Sequence, residues 1–189
     1  MRKQFVVFLA VIFSLTVLYS QKSYAVDNTD DSSAPLTQTS TPVVRQPVDN
    51  RAKILQDYLQ ANNSPLAPYA QTFITEADRN NIPWELLPAI SGVESNFGVN
   101  IPPDSYNGWG FGIYGNNVLR FASWDDGITQ VSYSLRTVYM NQDNAQNVYQ
   151  IGYLYASDPI WADKVTNYIS QIDAFAQTDI PKSSLSISL

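Results

Sequence analysis

A single carboxylate stands near the end of an otherwise apolar helical stretch, in the segment VESNFG at positions 93–98. On a helical wheel Glu94 borders a stripe formed by Leu86, Ile90, Val93 and Phe97. An apolar border removes hydration from a carboxylate, and the partial negative charge of a helix C-terminus acts in the same direction. Both effects favour the protonated form, which is the form a general acid needs to protonate the leaving oxygen of a glycosidic bond. The alternative is that Glu94 is an ordinary, partly exposed helical glutamate.

The composition limits which other chemistry is open to the chain. Its 189 residues include no Cys and no His. Cys-His and Ser-His-Asp systems need imidazole as the proton acceptor, and catalytic zinc sites usually contain it, so we expect neither, and no cofactor. The formal net charge of −6 argues against nucleic acid as a partner, because a phosphate-binding surface needs clustered Lys and Arg. Carboxylates, hydroxyls, amides and backbone groups remain as candidates.

The chain is predicted to have four parts. Residues 1–25 are typical of a secretory signal peptide: two basic residues precede an apolar run too short for a comfortable membrane span, and Ser23-Tyr24-Ala25 offers small residues to a signal peptidase. An uncleaved N-terminal anchor is the alternative, and either places the domain outside the cytoplasm, in the cell wall or periplasm. The polar segment 26–50 is predicted to be a disordered linker, 51–178 a single domain and 179–189 a loose tail. Membrane contact is expected only through the signal segment.

Helical periodicity in 51–178 predicts a mainly α domain. Six helices are expected to begin at or near Asn50, Pro68, Pro83, Ser123, Ala145 and Asp158-Pro159. The third should run to about Ser95 and end through Gly98, with Pro88 either kinking it or marking its true start. The Gly- and Pro-rich stretch 98–120 predicts a loop with a small β-hairpin turning at 115–117.

Four segments occur in an order that is similar to that of a known superfamily. They are AISGVESNFG (89–98), YNGWGFGIYG (106–115), FASWDDGI (121–128) and YASDPIWADKV (155–165). The first resembles the E-S-x-F/W-G helix of lysozyme-like peptidoglycan glycosidases, found in soluble lytic transglycosylases and bacterial endo-β-N-acetylglucosaminidases. The others resemble the N-x-F-G-I-K-G, F-x-S-x-x-x-x-I and Y-A-x-D-P-x-Y-A-x-K-I segments of the glucosaminidases. The resemblance covers roughly residues 82–172 and implies a lysozyme-like helical domain with a small β-hairpin or loop insertion.

The resemblance also implies roles for individual residues. It makes Glu94 the catalytic acid and Tyr155 a further active-site group, with Ser95 beside the acid. The predicted substrate-binding residues in or next to the glycine-rich loop are Ser95, Tyr106, Asn107, Trp109, Gly112, Ile113 and Tyr114. Aromatic side chains with polar tips suit the apolar faces of sugar rings, although core packing is the alternative for each of them. Among these aromatics, Phe111 and Trp124 are expected in the core, and Tyr106 and Tyr114 are expected to face ligand.

The chain departs from the glucosaminidases where a second carboxylate is expected. A long β-lobe brings that group in the family, whereas here only a short segment, 116–120 and its flanks, separates the two motifs, and it holds no Glu or Asp. Asp125 and Asp126 are expected to stabilise a helix N-terminus instead. A lone acid favours a substrate-assisted mechanism, in which the N-acetyl oxygen of the sugar is the nucleophile. We therefore expect a monomeric enzyme acting on the peptidoglycan glycan strand; the alternative is an inactive module of this fold that binds or scaffolds the cell wall.

Overall fold

The computed structural model describes residues 49–113 and 117–178. These residues form six α-helices and no β-strand, which confirms the mainly α prediction. The helices are α1 (Arg51–Ala61), α2 (Ala70–Asn80), α3 (Leu86–Ser95), α4 (Trp124–Ser134), α5 (Val148–Tyr155) and α6 (Trp161–Thr178). The predicted signal peptide, almost all of the linker, most of the hairpin turn and the tail lie outside the described residues. None of the described helices is long and apolar enough to cross a membrane.

The apolar spacing of the first two helices builds one side of the core. The predicted face of α1 is buried and consists of Ile54, Leu55, Tyr58 and Leu59. After α1, the Ser64 hydroxyl accepts a hydrogen bond from the Leu66 amide at 3.0 Å and donates one to the Phe97 carbonyl at 2.7 Å. A 3₁₀ turn over Ala67–Tyr69 leads into α2, close to its predicted start. Ser64 thus ties the connection between α1 and α2 to the segment after α3.

Local sequence sets both ends of α3, the helix that carries the candidate acid. α3 begins at Leu86, and Pro88 lies in its first turn, where a missing N–H loses no intrahelical hydrogen bond. The helix ends at Ser95 as predicted, but its C-cap is Asn96 in the left-handed conformation, at φ 52° and ψ 56°. The prediction that Gly98 ends the helix was therefore wrong. Asparagine tolerates left-handed backbone and takes the position that glycine more often fills.

Phe97 fixes the chain just beyond α3. It also has a positive φ, 56°, and its side chain is only 1% exposed. The ring packs edge-on against Tyr58 and Tyr168, with centroid distances of 5.7 and 5.0 Å. Gly92 leaves room for it, because a Cβ there would stand 2.8 Å from the Phe97 ring. The last turn of α3, which holds Glu94, is therefore anchored in the core.

The predicted cap of α4 is present. The Ser123 hydroxyl accepts a hydrogen bond from the Asp126 amide at 3.1 Å, and the Asp126 carboxylate accepts one from the Ala122 amide at 2.9 Å. Asp125 lies in the same first turn and accepts a hydrogen bond from the Thr72 hydroxyl at 2.6 Å. Both carboxylates therefore serve the helix start and its packing, as expected.

Beyond Ser134, α4 continues as a π-helix over Leu135–Gln142, which the period of the apolar residues does not predict. In a π-helix the hydrogen bonds span five residues instead of four, so side chains stack at a wider spacing. Leu135 and Tyr139 are accordingly buried, whereas Val138, which a period of 3.6 residues would place on the buried face, is only half-buried.

The last two helices bring their residues to the end of α3. α5 starts later than predicted, at Val148, because the Asn147 side chain accepts a hydrogen bond from the Gln150 amide and caps it. Asp158 accepts a hydrogen bond from the Ile160 amide at 3.0 Å just before α6. α6 packs against both α3 and α5, with Trp161 in its first turn.

Candidate active site

Glu94 lies half-buried in the last turn of α3. Its Oε1 accepts a hydrogen bond of 2.6 Å from the indole N–H of Trp161 in α6. Burial raises the pKa of the Glu94 carboxyl, and the Trp161 hydrogen bond and the positive charge of Lys164 oppose this rise without cancelling it. The structure thus gives Glu94 a carboxyl that stays protonated to higher pH than an ordinary glutamate.

Tyr155 lies next to this pair at the end of α5. Its ring stacks on Trp161 with centroids 5.0 Å apart and an interplanar angle of 23°. Its hydroxyl donates a hydrogen bond of 2.6 Å to the backbone carbonyl of Trp109. Burial, the charge of Glu94 and the neighbouring Tyr139 raise the pKa of the Tyr155 hydroxyl well above its usual range. Tyr155 is therefore a neutral donor. It joins the glycine-rich segment, which begins at Tyr106 and includes Trp109, to the ring of Trp161 beside Glu94.

Gly110 brings the backbone of the glycine-rich segment against the acid. A Cβ at this position would stand 2.8 Å from Glu94 Oε2, and the backbone φ is +61°. Glycine is suited to both conditions, since it lacks the Cβ and enters the left-handed region without strain. Glu94 is thus flanked by Trp161 on one side and by the Gly110 backbone on the other.

Ser95 lies beside the acid, as predicted, but its hydroxyl is engaged with protein groups. It is 4% exposed, its hydroxyl donates its single hydrogen toward the Gly108 carbonyl at 2.6 Å with the Ser91 carbonyl also within reach at 3.1 Å, and it accepts from the Gly98 amide at 2.8 Å. The hydroxyl therefore joins α3 to the glycine-rich segment. Ser95 was predicted to bind substrate, but the residue is buried and its hydroxyl is bonded to protein groups. Its contacts are those of a positioning residue.

Asn107 has a similar position within the loop. Its side chain is 1% exposed, and its Nδ2 donates to the carbonyls of Phe111 and Leu119 at 2.7 and 3.0 Å. Its Oδ1 accepts from the Phe111 amide at 3.0 Å. These bonds shape the loop from within, so the amide that was predicted to bind substrate holds the loop backbone instead.

Trp109 is a core residue, contrary to the prediction that it lines the groove. Its side chain is 0% exposed, and the indole N–H donates to the Leu87 carbonyl at 3.1 Å. The ring packs edge-on against Phe73, Phe121 and Trp124. A large aromatic ring at the centre of a glycine-rich segment has more apolar area to bury than the loop can cover outside the core.

The other predicted groove residues lie at the surface or outside the described ranges. Tyr106 is 36% exposed, with its ring edge-on to Trp124 at 5.6 Å, and remains a side chain that a ligand can reach. Gly112 and Ile113 are half-exposed. Tyr114 lies outside the described residues, as does Gly115. Of the expected core aromatics, Trp124 is 7% exposed, whereas Phe111 is only half-buried.

Trp161 and Gly110 contribute to the site although neither was predicted to. Trp161 lies at helical spacing with the apolar residues of the last helix, a pattern typical of packing. The signal was its place in YASDPIWADKV, where the glucosaminidase pattern has a second tyrosine with a polar tip. The sequence does not distinguish Gly110 from the other glycines of its segment, since four lie between positions 108 and 115.

No second carboxylate is brought to Glu94 by the contacts among residues 49–113 and 117–178. Asp104 is exposed, and Asp125 and Asp126 are engaged at the start of α4. In the same ranges no group of three Asp, Glu, His or Cys side chains is arranged to hold a metal ion.

Two clefts of the described surface lie near α3, and Glu94 is not among the residues that line them. One of about 390 Å³ lies next to it and is lined in part by Val93 and Lys164. The other, of about 540 Å³, lies near the opposite end of α3 and includes Leu86 and Arg136. The acid is bounded by Trp161 and the Gly110 backbone, outside the lining of these two clefts.

Comparison with known proteins gives no assignment: no family model matches the chain, and a search of curated proteins finds no match. The resemblance to peptidoglycan glycosidases therefore stays a prediction that rests on the four segments.

Proposed function

We propose that the chain is an exported glycosidase that cleaves the glycan strand of peptidoglycan, with Glu94 as its single catalytic acid and base. The observation that carries this proposal is the Glu94 carboxyl, which is half-buried, has a raised pKa and accepts one indole hydrogen bond. Such a group keeps its proton to higher pH than an ordinary glutamate, which suits proton donation to a leaving sugar oxygen. The substrate class is inferred from the four segments that resemble, in the same order, those of peptidoglycan glycosidases.

In the proposed reaction Glu94 transfers its proton to the glycosidic oxygen as the bond to the anomeric carbon breaks. The carbonyl oxygen of the neighbouring N-acetyl group bonds to that carbon and takes the place of a second carboxylate. The Glu94 carboxylate then removes a proton from water or from a hydroxyl of the same sugar, whose oxygen displaces the acetamido oxygen. The first outcome is hydrolysis and the second is transglycosylation; each returns the proton to Glu94.

The second candidate is a binding or scaffolding module of the cell wall without activity. One observation favours it: the side chains of Asn107 and Trp109, both predicted to bind substrate, are buried and engaged with protein groups. A glycosidase must pass its substrate along the acid, whereas a binding module needs only an accessible surface such as that around Tyr106.

The test is to incubate the full chain and its Glu94→Gln variant with purified peptidoglycan and to analyse released fragments by mass spectrometry. Glu85→Gln is the matched control: Glu85 is also half-buried and also has a pKa raised by burial, but it lies at the other end of α3. We expect fragments from the parent and the control and none from Glu94→Gln.

Three results would redirect the proposal. Activity that survives Glu94→Gln removes Glu94 as the acid. Retained binding to peptidoglycan without any released fragment in the parent establishes the binding module instead. Among active outcomes, a 1,6-anhydro end identifies a transglycosylase, and a reducing N-acetylglucosamine identifies a glucosaminidase.

A further inference from the structure

Trp161 donates a hydrogen bond directly to Glu94, and the proposed reaction assigns it no step. Its Nε1 lies 2.6 Å from Glu94 Oε1. The side chain is 2% exposed, so water does not compete freely for this bond. The contact joins two helices whose residues are 67 positions apart in the chain.

The indole ring is held in place by two residues of α5. One face stacks on Tyr155, with centroids 5.0 Å apart. Gly152, one turn earlier in α5, leaves space for the ring, since a Cβ there would stand 2.8 Å from Trp161 Cε3. A side chain confined in this way keeps its N–H aimed at one point, which a flexible donor such as lysine does not.

The chemistry of the donor decides where the proton of Glu94 resides. An indole N–H donates and does not accept, so Oε1 must remain an acceptor in both protonation states of the carboxyl. The carbonyl oxygen of a carboxylic acid is a better acceptor than its hydroxyl oxygen, so when Glu94 is protonated this bond favours the hydrogen on Oε2. Oε2 is the oxygen that lies against Gly110. Within residues 49–113 and 117–178 no group donates a hydrogen bond to Oε2, which leaves it available to a ligand.

We propose that Trp161 is the positioning residue of this site: its indole N–H keeps Glu94 Oε1 as an acceptor, so that Oε2 carries the transferable proton on the side of Gly110. The proposal rests on the assignment of Glu94 as the acid. Because the same hydrogen bond is stronger to the carboxylate than to the carboxylic acid, Trp161 also limits how far burial shifts the titration of Glu94. The other charged or titratable groups that act on this cluster are Lys164 from α6, Tyr155 from α5 and Tyr139 from the π-helix.

The contact can be observed without activity, by following the four indole N–H resonances of the full chain by NMR between pH 4 and 8. The chain has no His, so only carboxyl groups with a raised pKa titrate over most of this range. We expect the Trp161 resonance to move as Glu94 ionises and to stop moving in Glu94→Gln. Trp161→Phe identifies the resonance by its loss, and Trp124→Phe is the control for removing a buried indole that does not bind Glu94.

Activity of Trp161→Phe on peptidoglycan provides the second measurement. Phenylalanine keeps a ring against Tyr155 and removes only the donor and part of the ring area. We expect kcat to fall roughly tenfold or more, and the pH at which activity declines to rise, because the carboxylate loses its donor. A purely structural role would lower thermal stability and leave the pH midpoint unchanged, and that result would overturn the proposal.

The outcomes separate this proposal from the function on which it rests. A Trp161 resonance that does not follow Glu94 in an active parent refutes the positioning role alone. Activity that survives Glu94→Gln refutes both. A resonance that follows Glu94, together with a pH midpoint that rises in Trp161→Phe, supports both.

Discussion

Replacing Gly110 with alanine tests whether the close approach of the glycine-rich segment fixes the Glu94 carboxyl. The backbone at Gly110 has a φ of +61°, and an alanine in that region costs about 1–2 kcal/mol. The new Cβ would stand 2.8 Å from Glu94 Oε2, which forces the carboxylate to rotate or move. Because Oε1 is bound to Trp161 at 2.6 Å, that movement also strains a charged hydrogen bond, whose loss costs about 1.5–3 kcal/mol. We expect the free energy of unfolding to fall by about 2.5–5 kcal/mol in total if the hydrogen bond is lost.

Gly112→Ala is the matched control for the backbone part of this effect. Gly112 has nearly the same φ, +64°, and lies two residues further along the same segment. Its Cβ would meet Leu119 Cβ and Cδ2 at 3.1 Å, a contact that a shift of a few tenths of an ångström relieves, and Leu119 is 40% exposed. We therefore expect Gly112→Ala to lose only about 1–2 kcal/mol, from the backbone alone.

Urea unfolding at pH 7 with linear extrapolation gives both free energies. The NMR titration of the Trp161 indole then shows whether Glu94 was displaced, and we expect its course to change in Gly110→Ala and to stay as in the parent in Gly112→Ala. Equal losses of stability in the two variants, with the indole titration unchanged in both, would refute the argument that Gly110 sets the position of the acid.

Two further predictions follow from the same contacts. Since the folded-state pKa of Glu94 lies above its unfolded value, its stabilising contribution is fully present below the unfolded pKa and is lost as pH rises through the folded pKa. Glu94→Gln resembles the protonated form. It should therefore raise the free energy of unfolding at pH 8, by about 0.3–1 kcal/mol from the helix C-terminus alone, and change it little at pH 3.5. Equal gains in stability at both pH values, measured by thermal melts, would contradict this prediction. Tyr155→Phe leaves the Trp109 carbonyl without its 2.6 Å donor and should cost about 1–3 kcal/mol at either pH, whereas an unchanged urea midpoint would show that the bond does not hold the segment.

The helices and the position of Glu94 were predictable because local patterns determine them. The period of the apolar residues in α1 and α3, and the Ser123 cap of α4, depend on neighbours within a few positions. The same wheel that placed Glu94 at the border of an apolar stripe is consistent with its half-buried position. These features follow from residues that are close in the chain.

The composition of the site was less predictable because contacts between distant segments determine it. Trp109 and Trp161 are both tryptophans within the segments that resemble the glucosaminidases. The Trp109 ring packs between Phe73 and Phe121, whereas the Trp161 indole donates a hydrogen bond to Glu94. Apolar spacing along the chain does not distinguish the two environments; only the place of Trp161 in YASDPIWADKV pointed to the site. The π-helix after Ser134 was not predicted either, because a helical pattern is read with a period of 3.6 residues, whereas the hydrogen bonds here span five residues.

The buried ring of Trp109 has a consequence for how the segment beside Glu94 moves. A lid that opens independently needs few buried contacts, so that its local opening free energy is small. Here three hydrogen bonds hold the segment. The Trp109 indole donates to the Leu87 carbonyl, the Gly108 carbonyl accepts from the Ser95 hydroxyl, and the Trp109 carbonyl accepts from the Tyr155 hydroxyl. These attachments come from α3 and α5, so the segment opens only when the core opens. Amide protons around Trp109 should accordingly exchange with solvent at the rate of global unfolding, and the acid keeps its surroundings up to the temperature at which the domain melts.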